Sequence, residues 1–313
     1  MKPTWRRLLF LLVVMTGLIA AGCGGDDDEA NGGGASATTQ AEEEQPAIVL
    51  GTKNFTEQYV LGELYKQALE AKGFEVTLKS DIGSTEIIDT ALTSGEINMY
   101  PEYTGTSLTV VFGQEGSGAT AEETYEQAKA AYEERGQTLL AMTPFSDSDA
   151  IAVLKETADE HGLATLADLK KVPNLRLGGQ PEFRTRTQGL PGLEQNYGVT
   201  NVRFVPFAGI SPYEALDQKN VDAAAIFSTD PPLASGKYVV LEDTEAQFGF
   251  QNIAPVVDQE LAEALGDEFA ATVNAVSELL TEEAIIAMNS AVAIDQQAPN
   301  AVAGEFLEAN GLK

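Results

Sequence analysis

Several side chains that can bind a small anion lie close together in the sequence, where the first predicted helix begins. They belong to the segment Gly51-Thr-Lys-Asn-Phe-Thr-Glu-Gln58. Lys53 brings a positive charge, and Thr56 and Gln58 bring a hydroxyl and an amide that can donate hydrogen bonds. The first turn of a helix also presents backbone N–H groups that have no intrahelical partner, and these favour an anion. The segment therefore predicts a site for a carboxylate or a similar small anion.

Nucleophilic or metal chemistry has little support in this chain. The single histidine, His161, lies in a polar stretch predicted at the surface, and the serines at 84, 211 and 228 have neither a histidine nearby in sequence nor the Gly-x-Ser-x-Gly pattern of a nucleophile elbow. Asp147-Ser148-Asp149 offers two carboxylates to a hard cation, but further oxygen ligands at calcium-loop spacing do not follow. We therefore predict a binding protein rather than an enzyme, with no cofactor and no metal.

The first residues have the layout of an export signal. Basic residues precede the apolar run Leu8–Ile19, and small residues stand directly before Cys23, the single cysteine of the chain. We predict that residues 1–22 are a lipoprotein signal peptide and that Cys23 becomes a diacylated N-terminus, which would anchor the protein at the outer face of the cell membrane. The alternative is a signal peptide that is cleaved elsewhere, with Cys23 incidental.

Residues 23–45 form an acidic, glycine-rich stretch with too little apolar surface to build a core, so we predict a flexible spacer there. Beyond the leader, no segment approaches membrane-spanning length. The formal net charge of −29 disfavours nucleic acid as a partner. The chain is therefore expected to hand its cargo to another protein rather than to form a pore.

The remaining residues, 46–313, alternate between short apolar stretches and segments with helical spacing. This βαβα rhythm favours parallel sheets with helices on both faces, and it starts again near residue 150, so we predict an α/β protein with two sheets. In open α/β sheets, ligands lie beyond the carboxyl ends of the strands. Predicted strands are 47–50, 74–79, 97–100, 151–154, 175–178, 203–206, 223–227, 238–241 and 253–257; predicted helices are 57–72, 84–92, 121–135, 166–171, 189–197, 211–218 and 259–312, the last with breaks at Gly266, Pro299 and Gly304.

Further motifs follow the first segment along the chain. They are Gly83-Ser-Thr-Glu-Ile-Ile-Asp89, Tyr100-Pro-Glu-Tyr-Thr-Gly-Thr106, Pro144-Phe145, Gly178-Gly-Gln-Pro-Glu-Phe-Arg-Thr-Arg186, Gly189-Leu-Pro-Gly-Leu193, Phe227-Ser-Thr-Asp230 and Ala254-Pro-Val-Val257. Taken together, the set resembles the substrate-binding proteins of osmoprotectant ABC importers, the glycine betaine, carnitine and choline binders of the ProX-like or OpuAC-like type. The resemblance implies a type II periplasmic-binding-protein fold, with two α/β lobes joined by a two-crossing hinge.

The resemblance also implies how the chain is divided into lobes, and which ligand and partner proteins it binds. With crossings near Asp147 and Gln251, residues 46–147 and 252–313 would form lobe 1 and residues 148–251 lobe 2. A small-molecule ligand would bind in the cleft between them, and closure of the lobes would present it to ABC permease and ATPase subunits. Proteins of this build usually act as monomers. A solute sensor with the same fold is the alternative use.

Quaternary ammonium groups have no N–H to donate, so they are held by aromatic faces. Relatives in this family surround the ammonium with four tyrosines. Carried over by the flanking motifs, these four positions are Tyr103, Asp149, Phe227 and Gln251. Because two of the four cage positions are polar, two interpretations are open. The ligand is still a methylated ammonium, or its cation donates hydrogen bonds to Asp149 and Gln251.

Two further points complete the predicted site. Phe248 or Phe250, which stand just before Gln251, could supply an aromatic face in place of the lost tyrosines. Thr106 and Arg186 match family positions that hold the ligand carboxylate, and they join Lys53 and its neighbours at that end of the ligand. Asp147 lies at the first crossing, so the predicted site spans the hinge.

Overall fold

The computed structural model describes residues 45–114, 116, 118–207 and 209–313. The predicted signal peptide, Cys23 and the predicted spacer up to residue 44 lie outside these residues. The strands are β1 (Ile48–Gly51), β2 (Val76–Lys79), β3 (Met99–Tyr103), β4 (Gln137–Leu139), β5 (Asp149–Leu154), β6 (Arg176–Gly179), β7 (Arg203–Pro206), β8 (Ala223–Phe227), β9 (Tyr238–Val240) and β10 (Ile253–Asp258). The α-helices are α1 (Thr56–Ala71), α2 (Thr85–Thr93), α3 (Thr104–Thr106), α4 (Ala121–Glu133), α5 (Lys155–His161), α6 (Leu190–Tyr197), α7 (Pro212–Asp217), α8 (Gln259–Leu279), α9 (Glu282–Ala293) and α10 (Pro299–Ala309).

These strands form two five-stranded mixed sheets with the same arrangement. The first sheet has the order β2-β1-β3-β10-β4, and the second has the order β7-β6-β8-β5-β9. In each sheet three neighbouring strands are parallel, and the fourth, β10 or β5, runs antiparallel to the strands on both of its sides. The repeated rhythm in the sequence thus corresponds to two α/β lobes, which we call the first and the second lobe after their sheets.

Both faces of each sheet are covered, and the strand sequences show why. Along β5, Ile151 and Val153 belong to one apolar core, whereas Ala152 and Leu154 belong to the core on the opposite face. Successive side chains of a strand point to opposite faces, so a strand buried on both sides is apolar throughout. In the first lobe, one face of the sheet is covered by α1 together with α8, α9 and α10.

The chain passes between the sheets twice, after β4 and after β9. The two passages pair with each other through an antiparallel bridge between Ser146 and Asn252. The backbone N–H of Asp147 donates to the carbonyl of Gln251 at 3.1 Å, and the Gln251 N–H donates to Ser146 Oγ at 2.9 Å. The two-crossing hinge implied by the family resemblance is therefore present, beside Asp147 and Gln251.

The C-terminal region predicted as one interrupted helix consists of α8, α9 and α10. Gly266 breaks the helical backbone inside α8, with φ at 72°, and Pro299 opens α10, both as predicted. The predicted break at Gly304 is wrong, because this glycine lies within α10, where a side chain would crowd Gln67 Oε1 of α1. An unpredicted break precedes α9, whose N-terminus is capped by Thr281.

Three of the short strands and α-helices named above, β4, α3 and α5, were not predicted. Helix α5 ends at His161 and is closed by Gly162, which has a positive φ of 61° and accommodates a conformation that suits glycine. No helix in the described part of the chain combines the length and apolarity needed to cross a membrane.

Candidate ligand-binding site

A cavity of about 450 Å³ lies between the two lobes. Its walls come mainly from segments that follow the carboxyl ends of strands in both sheets, together with the first crossing. A cavity of this size suits a small molecule. The predicted site residues on its lining are Lys53, Tyr103, Thr106, Asp147, Asp149, Arg186, Phe227 and Gln251.

The other two predicted residues, Thr56 and Gln58, do not lie on this lining. Gln58 is fully buried in the first turn of α1, and its side chain bonds within the protein. Its Oε1 accepts from the backbone N–H of Lys53 at 3.1 Å, and its Nε2 donates to the carbonyl of Pro101 at 3.0 Å. Gln58 therefore fixes the loop after β1 against β3 instead of facing the cavity.

Three aromatic rings from both lobes stack beside the cavity. Phe55 lies between Tyr103 and Phe227, with ring centroids 6.1 Å and 5.1 Å away and interplanar angles of 27° and 20°. Because Phe227 ends β8 of the second lobe, the stack bridges the lobes, and ring faces of this kind attract cations. Neither Phe248 nor Phe250 lies on the lining. The additional aromatic ring beside Tyr103 and Phe227, the two cage positions that are still aromatic, is therefore Phe55.

Asp149 is a half-buried carboxylate on the cavity lining. Burial raises its pKa to about 6, although the positive charges of Arg186 and Lys53 oppose this effect. In the described part of the chain no group donates a hydrogen bond to its side chain. The carboxylate is therefore largely ionised at neutral pH and can attract a cation or accept a hydrogen bond from one.

Lys53 faces the cavity, but its charge already has a partner. Its ammonium forms a buried ion pair with Glu102 and lies 4.8 Å from the centroid of the Tyr103 ring. Burial lowers the pKa of Lys53, and the charge of Glu102 counteracts this. Because the pair is neutral as a unit, Lys53 offers a ligand carboxylate less attraction than the sequence suggested.

The other predicted carboxylate donors are also bonded within the protein. Both the backbone N–H and the hydroxyl of Thr106 donate to Gln251 Oε1, at 2.9 and 3.1 Å, and Gln251 Nε2 donates to the carbonyl of Phe248 at 2.9 Å. Arg186 forms an ion pair with Glu86 of the first lobe. The amide of Gln251 thus ties α3 to the second crossing, and its hydrogen-bonding capacity is largely used.

A buried carboxylate, Glu57, connects the first turn of α1 with both lobes. Its Oε1 accepts from the Tyr103 hydroxyl at 3.0 Å; its Oε2 accepts from Thr229 Oγ1 at 2.8 Å and from Asn289 Nδ2 at 3.0 Å. Burial raises the Glu57 pKa, while these hydrogen bonds act in the opposite direction. Glu57 was not among the predicted site residues, although it stands inside the first motif.

Asp147 lies next to this carboxylate at the first crossing. Its Oδ1 accepts from the backbone N–H of Thr229 at 3.1 Å, whereas its Oδ2 is buried without a partner in the described part of the chain. Burial, followed by the charges of Glu57 and Asp230, raises the Asp147 pKa well above its usual range. The cavity therefore has an acidic floor, with aromatic rings beside it.

Three aromatic residues on the lining were missed: Phe55, Phe183 and Phe207. Phe207 could have been found from the strand-end rule, since it directly follows β7. Phe55 and Phe183 lie within motifs that were recognised, but spacing alone does not tell which side of a turn faces the cleft.

Residues 46–309 match the family described as the substrate binding domain of the ABC-type glycine betaine transport system. The chain belongs to this family. Among its relatives, the glycine-betaine-binding protein of Pseudomonas aeruginosa is 32% identical over 277 residues, which cover 84% of this chain and 88% of that protein. The family consists of transport substrate-binding proteins, so this chain is not an enzyme.

Two solved structures support the fold of this family member. Apo YehZ from Escherichia coli aligns with a TM-score of 0.62 at 27% identity, over 85% of this chain and 99% of that one. A structure described as a glycine betaine/carnitine/choline ABC transporter aligns with a TM-score of 0.68 at 24% identity, over the same shares of the two chains. The chain is thus a substrate-binding component of an ABC-type system with a periplasmic-binding-protein fold, a class that works outside the cytoplasm.

Proposed function

We propose that the protein is the substrate-binding lipoprotein of an ABC importer and captures a small quaternary ammonium osmoprotectant of the glycine betaine, choline or carnitine type. The observation that carries this proposal is the stack of Phe55, Tyr103 and Phe227 beside the acidic floor of the interlobe cavity. A methylated ammonium needs ring faces, each worth about 0.5–2 kcal/mol, and gains further from a nearby carboxylate such as Asp149.

Closure of the two lobes is the proposed mechanism. We assign residues 46–147 and 252–313 to lobe 1 and residues 148–251 to lobe 2. A ligand that touches Phe55 on one lobe and Phe227 on the other binds the closed form best, so it shifts the population toward that form. The closed surface would then be recognised by the permease.

Delivery at the membrane rests on the sequence of the leader. Diacylation of Cys23 would tether the protein to the outer face of the membrane, and residues 23–45 would allow it to reorient toward the permease. We propose that it acts as a monomer with ABC permease and ATPase subunits. Neighbouring permease and ATPase genes would support import, whereas a neighbouring receptor kinase gene would support a solute sensor instead.

A second candidate ligand class is supported by the acceptors on the cavity lining. Asp149 has no hydrogen-bond donor in the described part of the chain, and Asp147 Oδ2 is likewise unpartnered. A protonated amine, a guanidinium or an amino-acid-like ligand could donate to them, which a quaternary ammonium cannot do. Gln251 contributes little to this alternative, because its amide is bonded to Thr106 and Phe248.

The test is calorimetric titration of the protein with choline, glycine betaine, carnitine, proline, histidine and arginine. Micromolar binding of a methylated ammonium supports the proposal. Binding of proton-bearing amines alone supports the second candidate, and binding of none of the six compounds contradicts both.

Replacing Phe55 with alanine is expected to weaken binding of a methylated ammonium by about tenfold, on the order of 1.4 kcal/mol, because the central ring of the stack is lost. The matched control is Phe112→Ala, which removes a half-buried ring that packs on Tyr132 away from the cavity. Calorimetry on both variants measures the difference. Equal affinities in Phe55→Ala and wild type would contradict a role for the stack.

A further inference from the structure

An ion pair joins the two lobes at the cleft. Arg186 of the second lobe donates from Nε to Glu86 Oε1 at 3.1 Å and from Nη2 to Glu86 Oε2 at 2.9 Å. Glu86 lies in the first turn of α2, on the first lobe. Two parallel bonds between a guanidinium and a carboxylate form the strongest and most geometrically selective arrangement open to this pair. Glu86 therefore occupies the Nε–Nη2 edge of Arg186, one of the edges at which a ligand carboxylate could form two hydrogen bonds.

The Glu86 side chain is fixed in this position from its own lobe. Ser84 Oγ donates to Glu86 Oε2 at 2.6 Å, and the first turn of a helix favours a negative charge. Partial burial would raise the Glu86 pKa, but the bonds from Arg186 and Ser84 outweigh it and lower this pKa to about 2. The residue is thus a permanently ionised carboxylate at neutral pH.

The rest of the cavity offers an anion little compensation. Arg186 also feels the negative charges of Glu182 and Asp149, which lie on the same lining. The remaining cation of the lining, Lys53, is paired with Glu102. A ligand carboxylate that approached Arg186 would have to displace Glu86 or bind beside three protein carboxylates.

We propose that Glu86 determines ligand preference: it competes for Arg186 with the carboxylate of a zwitterion and so favours quaternary ammonium ligands that lack a carboxylate. Choline is the simplest ligand of the favoured class, and glycine betaine is the simplest of the disfavoured one. This inference rests on the proposed function, because it concerns which ammonium compound the same cleft prefers.

The test compares Glu86→Gln with Asp89→Asn. Asp89 lies on the same helix and carries the same charge, but its bidentate partner, Arg135, belongs to the same lobe. The affinities of wild type and both variants for choline and for glycine betaine are measured by calorimetry. In Glu86→Gln, the affinity for glycine betaine relative to choline is expected to rise about tenfold, whereas Asp89→Asn should leave this ratio unchanged.

An unchanged ratio in Glu86→Gln would overturn the proposal. If both affinities fell by the same factor, the ion pair between Glu86 and Arg186 would stabilise only the contact between the lobes. A second readout needs no ligand. Modification of Arg186 by phenylglyoxal, followed by peptide mass spectrometry, should be several times faster in Glu86→Gln than in wild type or Asp89→Asn.

The two readouts separate failure of this inference from failure of the proposed function. If wild type binds none of choline, glycine betaine and carnitine, the proposed function fails, and the modification rate still tests the contact between Glu86 and Arg186. A faster rate then shows that Glu86 shields the Arg186 guanidinium from an external reagent, and an unchanged rate overturns the proposal.

Discussion

Replacing Glu57 with alanine should lower the free energy of unfolding by about 3 kcal/mol or more. The change leaves Tyr103, Thr229 and Asn289 without the acceptor that they share, and each buried polar group left unpaired costs about 1–3 kcal/mol. Because the three donors come from β3, from the segment after β8 and from α9, the loss affects both lobes. The effect should be among the largest of any single substitution in this protein.

Urea unfolding followed by circular dichroism measures this effect. Two further variants serve as controls. Glu70→Ala makes the same change on α1 at an exposed site that pairs with Lys66, so it should shift stability by no more than about 0.5 kcal/mol. Glu57→Gln keeps the shape and one acceptor oxygen, so it should fall between wild type and Glu57→Ala. Equal stability of Glu57→Ala and Glu70→Ala would show that the three hydrogen bonds contribute nothing.

The fold could be predicted because its signals are local. An apolar strand such as β5, buried on both faces, is recognisable without any partner, and so are Gly266 and Pro299 as helix breaks. The predicted break at Gly304 was wrong because a glycine also occurs inside a helix where another helix packs closely against it. The sequence of α10 alone does not reveal the contact between Gly304 and Gln67 of α1.

The candidate site was predicted less completely, because its chemistry depends on pairings between distant residues. Lys53 and Arg186 lie on the cavity lining, but nothing local in the sequence indicates that Glu102 and Glu86 neutralise their charges. The 100 residues that separate Glu86 from Arg186 become a direct contact only when the lobes meet. Residue type thus predicted which groups are present, and the fold decides which of them are still available to a ligand.

Asp149 is the available group with the largest expected effect on a cationic ligand. Two unit charges about 4 Å apart interact by about 4 kcal/mol at an effective dielectric constant of 20, and solvent in a half-open cleft reduces this value. We expect Asp149→Asn to weaken choline binding about 30-fold at pH 8, on the order of 2 kcal/mol. Asp217→Asn, which removes a carboxylate that pairs with Lys237 outside the cavity, should leave the affinity unchanged.

The pH dependence of Asp149 supplies an independent check, and its sign follows from the raised pKa. Below the pKa of about 6, Asp149 is protonated and must lose its proton before it can attract choline, which itself has no titrating group in this range. Wild-type affinity should therefore fall about tenfold between pH 8 and pH 5, with a step near pH 6 that Asp149→Asn lacks.

Stability should respond to Asp149 in the opposite direction from binding. A carboxyl group whose pKa is higher in the folded than in the unfolded protein stabilises the fold at low pH, and this contribution is lost as pH rises through about 6. Asp149→Asn should therefore unfold at a higher urea concentration than wild type at pH 8, although it binds choline more weakly. If Asp149→Asn lost both stability and affinity for choline, Asp149 would support the fold of the cleft. If the variant gained stability and lost affinity, the Asp149 carboxylate would destabilise the fold and serve ligand binding.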